Sequence, residues 1–150
     1  MSFEEKLTWV NTITTVIVAI AYAWIVGGQL AETPASQIAY QWPMIIACGA
    51  IVLLTILGAI GAAIGTAVSS AITGEGSVDD IDRKDERDVH IGWRGDRIGY
   101  YVSSVLIFGV LVMTMLEFSY FWIANGIFVA FVIAGLVSSA VKLVAYRRGF

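Results

Sequence analysis

The chain has 150 residues, of which 58% are hydrophobic and 14% are charged, and its formal net charge is −3. Soluble domains carry about 25% charged residues. The low charged fraction therefore favours a membrane protein over the alternative, an ordinary soluble domain with a buried core. The mildly acidic balance and the lack of a basic arm also argue against nucleic acid as a partner. Cys48 is the single cysteine and leaves no intramolecular disulfide to form.

The first predicted membrane span covers about residues 9–26. A cleaved signal peptide is the alternative, because Ala21-Tyr22-Ala23 resembles a small-x-small cleavage site. However, Glu4 and Glu5 do not suit a basic leader and the apolar run continues past the site. A membrane helix is therefore the favoured interpretation.

The second predicted span covers about residues 43–72, with Pro43 in its first turn. Such a helix is about 45 Å long and exceeds the hydrocarbon core of about 30 Å, so we expect it to tilt or to project into water. Its small residues permit close helix packing. We predict a contact inside the chain, in preference to a dimer seam, between Gly58, Gly61 and Gly65 and a face with Ala130, Ala134 and Ser138.

The segment from residue 75 to residue 97 holds eight of the twelve acids, five of the nine bases and the single histidine. Its charges at helical spacing predict a short solvated helix. Gly92, Gly95 and Gly99 then predict a flexible joint before the third span. We therefore predict a charged cytoplasmic loop over about residues 73–98.

The third and fourth spans are predicted at about residues 99–116 and 118–141, with Glu117 marking the turn. Four spans bring both termini and the charged loop to one side of the membrane. That side carries all nine Lys and Arg residues. The positive-inside rule then predicts a multi-pass protein of the cell membrane, such as a bacterial inner membrane, with both termini in the cytoplasm.

These elements predict an all-α membrane protein with four transmembrane helices in a single integral membrane domain over residues 1–150. Glu5-Lys6-Leu7-x-Trp9 faintly resembles Asp96-Arg97-Ile98-x-Tyr100, and each is followed by an apolar helix. This echo favours two tandem helical hairpins of the same orientation.

The charged residues around the start of the third span form the candidate site. Arginine suits carboxylates bidentately, and two arginines stand in the last aqueous turn of that helix. We predict a half-buried ion-pair and partner-binding cluster made of Asp85, Glu86, Arg87, Asp88, His90, Arg94, Asp96 and Arg97.

Catalytic and metal chemistry finds little support in the same residues. A lone histidine beside Glu86 and Asp88 is a poor ligand set, and aspartates at every third position drift around a helix. We therefore expect no catalytic residues, no metal and no cofactor, and predict that the chain is not an enzyme.

The stretch Asp85-Glu86-Arg87-Asp88, followed by Ile91, Arg94 and Asp96-Arg97-Ile98, resembles a family of small bacterial and archaeal integral membrane proteins of unknown function. Those proteins carry an Asp-Glu-Arg-Asp-like motif before their third helix. The resemblance covers about the last half of the chain and implies a compact four-helix membrane fold without a stated activity. Some similar proteins are encoded beside transcriptional regulators, which implies a sensing or sequestering role.

We therefore predict a non-enzymatic protein that binds a partner, regulates or self-associates through its charged loop. Its expected partners are the lipid bilayer and either its own copy, in a homo-oligomer, or a cytoplasmic regulatory protein. A small oligomeric transporter or channel is the alternative, although the spans contain few polar residues. An enzyme acting on lipid is a third possibility, and it would need acids in metal-ligand geometry.

Overall fold

The structure, a computed structural model, describes residues 3–73 and 86–148 and consists of four long helices. They are α1 (Phe3–Leu30), α2 (Gln41–Thr73), α3 (Glu86–Met115) and α4 (Tyr120–Arg148). A single 3-10 turn at Ala35–Gln37 lies in the α1–α2 connection, and the described residues include no strand. The predicted all-α class with four helices is confirmed.

Each helix is long and apolar enough to cross a membrane. Large apolar side chains such as Ile17, Leu53 and Phe131 lie exposed along them. A soluble protein rarely leaves so much contiguous apolar surface in water. This pattern is that of a multi-pass membrane protein, in which lipid covers the outward faces.

The helices form two antiparallel hairpins, α1–α2 and α3–α4, which join through contacts between α1 and α4. Their order across the molecule is therefore α2, α1, α4, α3. In the described part of the chain, α2 and α3 make no extended contact with each other. We call the end with residues 3, 73, 86 and 148 the charged end, and the end with the two connections the loop end.

The α3–α4 connection is short because α3 closes with a Schellman motif. The Phe118 amide donates to the Met113 carbonyl at 3.1 Å, and the Glu117 amide donates to the Thr114 carbonyl at 3.1 Å. Glu117 itself has a φ of 57°, the left-handed conformation that this cap requires and that glycine usually supplies. The prediction that Glu117 marks the turn is confirmed.

The third helix starts much earlier than the predicted span. The sequence predicted a flexible joint at Gly92, Gly95 and Gly99, but α3 runs without interruption from Glu86 through all three glycines. The part of the predicted loop over residues 86–98 is thus helix, and residues 74–85 lie outside the described residues. Tertiary contact with α4 overrides the low helix propensity of glycine here.

A packed hydrophobic core lies at the loop end of the molecule. Tyr22 on α1 contacts Phe128 on α4, with ring centroids 4.7 Å apart. The α1–α2 connection covers this pair through Ile38 and Tyr40, and the Tyr40 ring meets Phe121 edge-on at 5.3 Å. The other buried members are Val18, Val26 and Ala47.

Candidate functional site: the α3–α4 seam at the charged end

An ion pair between α3 and α4 lies at the charged end of the molecule. The Lys142 ammonium lies 2.7 Å from the Asp96 carboxylate. The Ser138 hydroxyl donates to the same carboxylate oxygen at 3.2 Å. The Lys142 side chain is 23% exposed and that of Asp96 is 68% exposed, so the pair joins a partly buried cation to an exposed acid.

Two glycines of α3 make this pairing possible. A Cβ atom at Gly95 would lie 2.5 Å from Cγ of Lys142 and 2.9 Å from the Ser138 carbonyl oxygen. A Cβ atom at Gly99 would lie 2.9 Å from the Ser138 Cβ and 3.1 Å from the Ala134 carbonyl oxygen. Small residues therefore bring the two backbones together, as is common between membrane helices, and the stem of Lys142 crosses Gly95 to reach Asp96.

Asp96 is among the residues predicted for the site, but Lys142, its partner in the structure, is not, and the two glycines were predicted to form a joint. The four-residue spacing Gly95-x-x-x-Gly99, which also occurs between Gly61 and Gly65, was the sequence signal for a close helix contact. The charged residues next to these glycines made a helix contact difficult to recognise from the sequence. Alternation of glycine with Arg94 and Asp96 suggested a solvated segment instead of a helix contact.

The predicted cluster lies only in part within the described residues. Asp96 pairs with Lys142 and with neither Arg94 nor Arg97. No ion pair joins Asp88 to Arg94 within residues 3–73 and 86–148. Glu86, Arg87 and His90 are exposed on the first turns of α3, and Asp85 lies outside the described residues. Residues two or six positions apart on one helix do not face each other, which explains why Arg94 pairs with neither Asp96 nor Asp88.

The predicted packing of α2 on α4 is wrong. The Cβ position of Gly58 contacts Val10 of α1, while those of Gly61 and Gly65 meet nothing within 4 Å. Ala134 and Ser138 of α4 contact Gly99 of α3 instead. The reason is the order of the helices, since α1 lies between α2 and α4.

A second polar contact links α1 to α4 near the loop end. The Tyr22 hydroxyl donates to the Asn125 side-chain oxygen at 2.8 Å, and the Asn125 amide donates to the Phe121 carbonyl at 2.8 Å. An apolar cavity of about 450 Å³ lies beside them. Sequence reasoning gave Tyr22 no packing role. The spacing of Val18, Tyr22 and Val26, one turn apart, was the signal for a buried stripe.

Two smaller cavities adjoin α3 at the charged end. One has a volume of about 430 Å³ and is lined by His90, Trp93, Arg94, Arg97 and Ile98. The other has a volume of about 330 Å³, and its lining includes Arg94 and Arg148. Among the described residues, no group of three or more His, Cys, Asp or Glu side chains is placed to hold a metal ion.

Comparisons with protein-family models, with curated proteins and with solved structures found no match to this chain. The resemblance of the Asp85–Ile98 stretch to a family of small membrane proteins therefore stays a prediction.

We expect a double-mutant cycle to show coupling between Asp96 and Lys142 of about 1 kcal/mol, because the pair is charge-assisted but its acid faces water. The cycle combines Asp96→Asn with Lys142→Met, which keeps the length of the apolar stem. The free energy of unfolding in detergent is the measured quantity. A cycle that pairs Asp96→Asn with Arg94→Met serves as the control and should be additive. Equal coupling in both cycles would instead restore the arginine cluster predicted from the sequence.

Proposed function

We propose that this protein is a non-enzymatic membrane protein that binds a protein partner, either a second copy or a cytoplasmic regulator, through the first turns of α3. The observation that carries the proposal is the continuity of α3 from Glu86 to Met115. The charged residues that precede the membrane segment are a direct extension of a membrane helix. A partner bound there would act on a rigid element, and its binding energy would be transmitted to the α3–α4 seam.

The exposed face of this extension has the composition of a binding surface. Val89, Trp93 and Arg97 follow one another at four-residue spacing, and all three side chains are exposed. The Trp93 side chain is 70% exposed. Tryptophan and arginine are the residues that most often dominate the energy of protein interfaces. Polar neighbours such as Glu86 and His90 would supply a polar rim.

The orientation of the chain is part of the same proposal. All nine Lys and Arg residues belong to the charged end or to the chain segments that lead into it. The positive-inside rule places such an end in the cytoplasm. Both termini would then be cytoplasmic, in a multi-pass protein of the cell membrane.

A photoreactive amino acid at Val89 tests the proposal in intact cells. We expect a protein adduct of defined mass, which should weaken when Trp93→Ala is added because that change removes the central apolar anchor. The matched control places the same amino acid at Val105, which is exposed farther along α3 and should react with lipid alone. Identical products from both positions, or adducts confined to proteins outside the cytoplasm, would contradict the proposal and its orientation.

An oligomeric transporter or channel is the second candidate, and the exposure of α2 favours it. Only 6% of the membrane-spanning window of α2 is buried, compared with 28% for α4. Among the described residues, a Cβ atom at Gly61 or Gly65 would meet nothing within 4 Å, so another helix could approach these glycines. In the cross-linking experiment, adducts exclusively between copies of this chain would favour this candidate over a regulatory partner.

A further inference from the structure

The groove on the second edge of the α3–α4 seam combines two arginines with an apolar floor. Arg94 and Arg148 stand at its mouth, and Ile98, Val141 and Val144 line it. The groove adjoins the cavity formed by His90, Trp93 and Arg97, with Arg94 and Ile98 common to both. The two cavities together are lined by His90 and three arginines, Arg94, Arg97 and Arg148.

The acid of the seam lies on its opposite edge. Successive helical residues are about 100° apart, so Arg94 and Asp96 lie on either side of Gly95, which faces α4. Lys142 pairs with Asp96, and the residues lining the two cavities include no carboxylate. Within the described residues, Arg94 and Arg148 have no ion pair. The positive charge of the groove is therefore not compensated by its own lining.

The groove is charged at one end and apolar at the other. From Arg94, the next turn of α3 leads to Ile98. From Arg148, successive turns of α4 lead back to Val144 and Val141. The two helices are antiparallel, so both paths run from the charged end toward the membrane interior. Charge lies at the mouth and apolar side chains lie beyond it, in the same order as the headgroup and acyl chain of a lipid.

We propose that this groove binds an anionic phospholipid, with its phosphate between Arg94 and Arg148 and an acyl chain along Ile98, Val141 and Val144. Guanidinium groups offer a planar fork that suits phosphate oxygens. Basic sites between membrane helices are suited to anionic headgroups. An acidic peptide would match the arginines but would leave the apolar floor uncovered, which favours lipid over peptide.

Native mass spectrometry of the full chain, titrated with phosphatidylglycerol in detergent, measures this binding. We expect wild type to bind phosphatidylglycerol in preference to phosphatidylcholine at one saturable site. The Arg94→Gln/Arg148→Gln variant should lose about thirtyfold in affinity for phosphatidylglycerol, from two arginine contacts near the headgroup. Inorganic phosphate should compete weakly, since it lacks the acyl chain.

Two further variants separate a built site from general charge attraction. Arg147→Gln removes the same charge from the adjacent position, where the guanidinium lies 6.0 Å from the Trp9 ring, and should retain wild-type affinity. Val144→Phe keeps every charge but fills the groove at an exposed position, so it should weaken binding without unfolding the chain. Equal losses for Arg147→Gln and the double variant would overturn the proposal. So would full binding by Val144→Phe, or preference for a polyglutamate peptide over the lipid.

Discussion

Replacing Gly99 with leucine is expected to lower the free energy of unfolding by at least about 3 kcal/mol, at the upper end of overpacking effects. The first atom of any side chain there would come within 3.1 Å of the Ala134 carbonyl oxygen. That oxygen belongs to the backbone of α4 and cannot rotate away. Accommodation therefore requires α4 to move, which would also separate Lys142 from Asp96.

The matched control is Gly61→Leu on α2. Its Cβ would meet nothing within 4 Å, and leucine forms helix better than glycine by up to about 1 kcal/mol. We expect unchanged or slightly higher stability for this variant. Thermal and denaturant unfolding in the same detergent compares the two. If Gly61→Leu proved the more destabilising, the helix order α2, α1, α4, α3 would be incorrect, or another copy of the chain would cover α2.

The comparison of Gly99 with Gly61 also shows which parts of the fold can be predicted from the sequence. The four spans follow from the long uncharged runs, because about 20 apolar residues are needed to cross a bilayer. Glu117 is the one charged residue between Arg97 and Lys142, and it marks the turn between the third and fourth spans. Such features depend on local composition, which the sequence displays directly.

Helix pairing depends instead on which helix faces meet. A spacing of small residues permits close approach but does not specify which helix packs there. Gly61-x-x-x-Gly65 and Gly95-x-x-x-Gly99 have the same spacing, but only the second is packed in the structure. The charges around Gly95 made it resemble a solvated joint. Likewise, the partner of Asp96 lies 46 positions away on α4, beyond the reach of any argument from local spacing.

The other large effect is expected at Tyr22, where we predict that alanine lowers the free energy of unfolding by about 2–3 kcal/mol. Removal of a buried aromatic ring from a soluble core costs about 3–5 kcal/mol. Part of that cost is transfer from water, which falls away when the unfolded reference also lies in lipid. What remains is the lost contact with Phe128, the cavity left behind and an Asn125 side-chain oxygen without its donor.

Two controls divide this loss into its components. Tyr22→Phe keeps the ring against Phe128 and removes only the hydroxyl that donates to Asn125, so it should cost about 0.6 kcal/mol, the average for such bonds between membrane helices. Trp24→Ala removes a larger ring two residues away, but that ring is 83% exposed against 5% for Tyr22. Its loss should leave the unfolding transition almost unchanged. If Trp24→Ala destabilised the protein more than Tyr22→Ala, α1 would have to face α4 with the opposite side, and the Tyr22–Asn125 contact could not form.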